Sequence, residues 1–225
     1  PEFLRGTWVQ TVWMILALIT VFMGSLLGYR EKVLKKRLDY STVSQISYIL
    51  LGLAVLEPQA LTGSLLHVVF HALIKTALFL CAGAFIHETG KERVDELTGI
   101  GKKMPITTFG FLIVSLGLIG IPPTGGFVSK WYLATGALDA DVGVFRYLIP
   151  AILLASALLT AGYLLPIPIK GFLPGKEFDY ENNPKKEASS WMWMPILILA
   201  GLSLLGGVFS DVVTDYILWI QALVF

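Results

Sequence analysis

Apolar residues gather in long runs along this chain, and polar residues collect in the stretches between them. A helix needs about 20 mostly apolar residues to cross ~30 Å of hydrocarbon. By that measure the pattern predicts spans over residues 7–28, 40–56, 61–86, 105–138, 146–169 and 191–209. The tail, 210–225, is amphipathic at first and then apolar. Trp8 and Trp13 suit an interfacial belt at the start of the first span. The second span opens polar, with Ser41, Thr42, Ser44 and Gln45, residues that join helices by hydrogen bonds. A transmembrane β-barrel would alternate in segments of ~10 residues, and these runs do not. The fold class is therefore all-α: a polytopic transmembrane helical bundle of about six spans.

The fourth run is too long for one straight crossing. Its residues would make a helix of ~50 Å. It contains Ile121-Pro-Pro-Thr-Gly-Gly-Phe127. Pro122 and Pro123 remove backbone donors, and Gly125 and Gly126 open the backbone. These features predict two half-helices joined by an unwound segment, with the break near 121–126. Such a break at membrane depth must be buried in protein or face water. Lys130 follows it by one turn.

The third run carries His67, His71 and Lys75, spaced at i, i+4 and i+8. At about 3.6 residues per turn these form one stripe on one helix. Lys75 lies ~15 Å or more from either end, too far for its ammonium to snorkel out. An intramembrane lysine points to a functional site by default.

Composition agrees with the membrane reading. Hydrophobic residues make up 55%, mean hydropathy is +0.72, and charged residues reach 15%. Soluble domains carry about 25% charged residues. The net charge of +1 leaves no nucleic-acid footprint. Cys81 is the single cysteine, so neither a disulfide framework nor a thiolate metal site is expected. The chain begins with Pro1 with no signal peptide before the first span, and reads as a piece of a longer protein. Thirteen of the seventeen Lys and Arg residues fall within 30–37, 91–103 and 170–186. Six spans put those three loops on one side, cytoplasmic by the positive-inside rule. Arg5 and Arg146 fall on the other side, and Lys75 and Lys130 within the membrane.

A row of imidazoles leading to a lysine can hand protons along a hydrated path, because both groups titrate when their surroundings allow it. Lys130 is the next station. The acids fall in loops, termini or the tail, so a carboxylate partner is expected from outside this chain. Other chemistries fit less well. His67 and His71 have metal-ligand spacing but lack the glutamate of His-Glu-x-x-His and a third ligand. Haem between helices would need histidines on both. A retinal Schiff base at Lys75 would need a nearby counter-ion. No cofactor and no metal are expected.

Three motifs resemble one family. They are Arg37-Leu-Asp-Tyr-Ser-Thr-Val-Ser-Gln-Ile-Ser-Tyr48, Leu66-His-Val-Val-Phe-His-Ala-Leu-Ile-Lys-Thr-Ala-Leu-Phe-Leu80 and Gly120-Ile-Pro-Pro-Thr-Gly-Gly-Phe-Val-Ser-Lys130. In this order and spacing they are similar to the proton-conducting antiporter-like subunits of respiratory complex I, membrane-bound hydrogenases and Mrp-type cation/proton antiporters. The resemblance implies two inverted five-helix repeats, each with a half-channel and a broken helix. Residues 1–170 would be the second repeat, 171–190 a polar cytoplasmic loop, and 191–225 a further span and amphipathic tail. It also implies that Lys75 is the central lysine, that His67 and His71 lead to it, and that Lys130 is the exit residue. Lys35 matches a lysine that precedes the Tyr-Ser-Thr motif. The first repeat, with its glutamate–lysine pair, is absent from the chain.

The expected function is proton translocation within a complex I-like or hydrogenase-like assembly, without bond-making chemistry in the subunit itself. Sodium/proton exchange in an Mrp-type complex is the alternative, and a structural membrane scaffold is the alternative of another class. Expected partners are other membrane subunits, the lipid bilayer, and protons or sodium, with no nucleic acid. The expected location is the inner or plasma membrane of the cell.

Overall fold

A computed structural model of the protein describes residues 2–175 and 184–224. Its helices are α1 (Trp8–Arg30), α2 (Leu34–Val55), α3 (Pro58–Thr89), α4 (Ile100–Lys103), α5 (Pro105–Ile119), α6 (Gly125–Asp139), α7 (Phe145–Leu164), α8 (Pro166–Phe172), α9 (Ser190–Val208) and α10 (Ser210–Val224). The helix ends follow local chemistry. The Thr7 side chain accepts from the Gln10 amide at 3.4 Å and caps α1. Pro58, Pro105 and Pro166 open α3, α5 and α8 at a position that needs no N–H. Gly90 (φ 69°) and Gly120 (φ 91°) end α3 and α5 in the left-handed region.

Among the described residues four stretches are long and apolar enough to cross a membrane: Trp8–Arg30, Pro58–Thr89, Phe145–Phe172 and Ser190–Val208. Half-helix α5 is apolar but shorter. Helix α2 is the polar member of the bundle, because Ser41, Ser44, Gln45 and Ser47 are all buried within it. It begins before residue 40, where the sequence pattern puts the second span. Leu34 and Leu38, one turn apart, are fully buried and draw residues 34–39 into the helix. The basic stretch 30–37 is therefore half helix rather than loop.

Helix α3 is the axis. It packs on α2, α5, α6, α9 and α10 and separates two hydrophobic clusters. One gathers Phe70, Phe85, Phe111 and Ile196 around α3, α5 and α9. The other gathers Tyr48, Leu51, Leu133 and Ile149 around α1, α2, α6 and α7. The crossing of α3 and α6 is close. A Cβ on Gly63 would lie 2.4 Å from the Leu133 amide nitrogen, and one on Gly136 would lie 2.3 Å from that of Ala60. Backbone rather than side chain fills those positions.

At the basic end, strand-like bonds tie two turns together. The Leu34 amide donates to Glu92 O and the Val94 amide to Lys32 O, both at 2.9 Å. Glu187 caps α5 from the segment before α9. Its carboxylate accepts from the Ile106 amide at 2.7 Å and the Thr107 hydroxyl at 2.6 Å. The polar loop expected over 171–190 falls partly on residues 176–183, which lie outside the described residues. At the far end, the tail is helical and folds back as α10. Thr214 and Ile217 are buried, and the Thr62 hydroxyl donates to the Gln221 side-chain oxygen at 2.7 Å.

Candidate functional site

Helices α2 and α3 run antiparallel and present matching stripes. On α2 the stripe is Leu38, Ser41, Gln45 and Tyr48; on α3 it is Lys75, His71 and His67. The steps of three and four residues keep each set on one face. The Lys75 ammonium donates to Leu38 O at 2.5 Å and to the Ser41 hydroxyl at 2.6 Å. It also lies 5.1 Å from the Phe79 ring centre. Lys75 is 5% exposed and His67 3%. No carboxylate pairs with Lys75 among the described residues. Asp39, expected in a loop, is helical and directly follows Leu38.

His67 joins three helices. Its Nδ1 is 2.8 Å from the Ser129 hydroxyl on α6, and its Nε2 is 3.0 Å from the Gln45 side-chain oxygen on α2. Its ring stacks on Tyr48 at 5.5 Å and on His71 at 6.0 Å. His71 is only half-buried, yet its Nε2 is a buried atom with no partner among the described residues. The Gln45 Nε2 is in the same state. Buried polar atoms are normally hydrogen-bonded to protein or ordered water.

Lys130 lies at the break. Its ammonium donates to Leu118 O at 2.6 Å and Ile119 O at 3.0 Å, the last carbonyls of α5. A cation at a helix C-terminus also meets the negative end of the helix dipole. The same ammonium sits 4.9 Å from the Tyr48 ring centre. Tyr48 thus carries His67 and Lys130 on one ring, and Ser129 bonds His67 from the residue next to Lys130. The structure brings His67, Lys75 and Lys130 into one polar interior, with His71 between the first two.

One expectation needs correction. The unwound segment is Gly120–Thr124, which holds Pro122 and Pro123, and Gly125 and Gly126 are the first residues of α6. Neither glycine has a positive φ, and Gly120 does. Gly125 and Gly126 serve close approach. A Cβ on Gly126 would fall 1.9 Å from Gly117 O, and one on Gly125 would fall 2.2 Å from the Phe70 ring. Lys35 is exposed and makes no hydrogen bond to the row.

Several participants escaped the sequence reading. Ser41, Gln45, Tyr48 and Ser129 hold the titratable groups, whereas Ser41 and Gln45 read as inter-helix packing. The shared period of residues 38, 41, 45 and 48 was the available signal. Arg37, a loop residue by the sequence pattern, is 9% exposed. Among the described residues, no three His, Cys, Asp or Glu side chains gather into a metal-binding set.

A buried lysine in an apolar bundle, with a half-buried one at a broken helix, defines a multi-pass membrane protein with a polar interior. The chain belongs to the family described as NADH:quinone oxidoreductase/Mrp antiporter, transmembrane, which it matches over residues 2–167. It is 40% identical over 208 residues to NADH-quinone oxidoreductase subunit N of Desulforudis audaxviator, covering 88% of this chain and 41% of that protein. It is 31% identical over 207 residues to the D subunit of the Na(+)/H(+) antiporter of Alkalihalophilus pseudofirmus, covering 92% and 41%. The structure of the Mrp complex from Dietzia sp. superposes with a TM-score of 0.84 at 25% identity, over 97% of this chain and 47% of the matched chain. This chain spans less than half the length of each relative.

Proposed function

We propose that this chain forms a proton-conducting part of an antiporter-like subunit within a multisubunit membrane complex. Lys75 stores a proton, His67 and His71 relay it, and Lys130 exchanges it with the outer side. One observation carries the reading. The Lys75 ammonium is buried against a carbonyl and a hydroxyl, neutral oxygens that can hold it without a fixed counter-charge. Water at the unpartnered His71 Nε2 and Gln45 Nε2 would hydrate the row between Lys75 and His67. His67 can take up or release a proton at Nδ1, beside the Ser129 hydroxyl, and water would carry it on to Lys130.

Residues 1–170 would act as one inverted repeat, with the basic loops in the cytoplasm and the subunit in the inner or plasma membrane. Its partners would be further membrane subunits and the lipid around them. Lys35, exposed on α2, would take its part only through such a partner. The chain contributes no bond-making step of its own.

Proton flux through the complete reconstituted complex tests the role of Lys75. Lys75→Met should abolish most flux with assembly intact. Lys75→Arg should also impair it, because arginine does not give up its proton. Normal flux in an assembled Lys75→Met complex would leave this residue a structural lysine, as a scaffold role requires. Sodium/proton exchange is the second reading, favoured by the Na(+)/H(+) antiporter relative. Flux that requires sodium would select it.

A further inference from the structure

The basic end of the bundle holds a cleft of about 460 Å³ between the end of α1, the start of α2, residues 94–98 and the junction of α7 with α8. Its walls include Lys32, Arg37, Lys170, Tyr29 and Thr98. One acid, Asp95, lines it as well, and that carboxylate is paired with Arg93 at 3.1 Å. Among the described residues the cleft therefore presents three cations, three hydroxyl-bearing side chains with Tyr163, and one acid already engaged.

Arg37 is the unusual member. Its guanidinium donates to Glu31 O from Nε at 2.8 Å and from Nη2 at 2.5 Å, and to Tyr163 O from Nη1 at 2.7 Å. A guanidinium has five N–H donors in a fixed fork, so two remain after these bonds. No carboxylate pairs with it among the described residues. The Glu31 carboxylate is turned to the Lys32 and Val33 amides, at 2.8 and 2.9 Å. A buried cation held by carbonyls alone lacks the counter-charge that buried ions normally have. Arg37 supplies a planar fork, and phosphate oxygens match that geometry.

The surroundings suit a lipid. Pro166, Ile167, Val94 and Leu97 give the cleft an apolar flank beside its cations. Basic pockets between transmembrane helices on the cytoplasmic side are suited to anionic headgroups. We propose that this cleft binds a phosphate group, with Arg37 as the buried anchor and Lys32 and Lys170 at the rim. The group is expected on an anionic lipid headgroup, and free phosphate has the same chemistry.

The test is photochemical capture in the full complex. Thr98 is replaced by p-benzoylphenylalanine, and the complex is placed in vesicles of phosphatidylcholine and phosphatidylglycerol. Adducts are identified by mass. Phosphatidylglycerol should be captured in clear excess over its share of the vesicle. The Lys32→Gln/Lys170→Gln pair, both at the rim, should reduce that capture about tenfold. The Lys91→Gln/Lys102→Gln pair should not. In a second arm inorganic phosphate is added. If it displaces the lipid adduct in the wild type and not in the Lys32/Lys170 variant, the site takes free phosphate as well. Adducts in the vesicle ratio, no adducts at all, or capture unchanged in the Lys32→Gln/Lys170→Gln pair would overturn the proposal.

Discussion

Lys130 on the second half-helix donates its ammonium to the carbonyl of Leu118 on the first, at 2.6 Å. The residue proposed to pass the proton outward is thus also the cap of the broken helix. Its two roles predict different behaviour for two substitutions. Lys130→Arg keeps a donor for the Leu118 and Ile119 carbonyls, so the complex should assemble while proton flux falls. Lys130→Leu leaves both carbonyls without this donor, at about 1–3 kcal/mol for a buried group. Both assembly and flux should fall. Assembly yield and flux, measured side by side, check this pair. Equal flux from the two variants and wild type would leave Lys130 without a transport role.

The glycines after the break should differ in whether they can be rescued. A Cβ on Gly125 would meet the Phe70 ring, a side chain that can be made smaller. A Cβ on Gly126 would meet the Gly117 carbonyl, which cannot. Gly125→Ala should therefore lower thermal stability, with partial recovery in Gly125→Ala/Phe70→Leu. Gly126→Ala should lower it by about 3 kcal/mol or more through backbone displacement, with no recovery from the same second change. Melting of the purified complex gives the comparison.

Glu187 holds the opposite end of α5. Its carboxylate accepts from the first free amide of the helix and from Thr107, and its charge suits the positive pole. Glu187→Ala should destabilise the half-helix by about 1 kcal/mol, the usual loss for a removed cap. Glu187→Gln should lose less. Faster amide exchange over residues 106–108, with that of α1 unchanged, is the expected signature.

The positive-inside rule predicts an orientation that labelling can check. In a Cys81→Ala background, Lys102→Cys should react with an impermeant thiol reagent from the cytoplasmic side, and Val144→Cys from the opposite side. Both positions are exposed. Labelling of position 102 from outside would invert the topology.

The sequence by itself determined the class of the fold and the place of its candidate chemistry. Apolar runs long enough to span a bilayer can bury their backbone only as helices. The spacing of His67, His71 and Lys75 put all three on one face before any neighbour was known. The Pro-Pro-Thr-Gly-Gly run marked the break, since proline removes a donor wherever it stands. Tertiary structure decided what these groups touch. Nothing local to Lys75 says that Leu38 and Ser41 would receive it, because that contact depends on the register of α2 against α3. Period alone could not give α2 its true start, which packing of Leu34 and Leu38 sets. Gly125 and Gly126 read as open backbone, yet their helical φ values follow from how closely α6 approaches Gly117 and Phe70. Arg37 looked like one more loop charge until the helix carried it inward, against carbonyls 6 and 126 residues away.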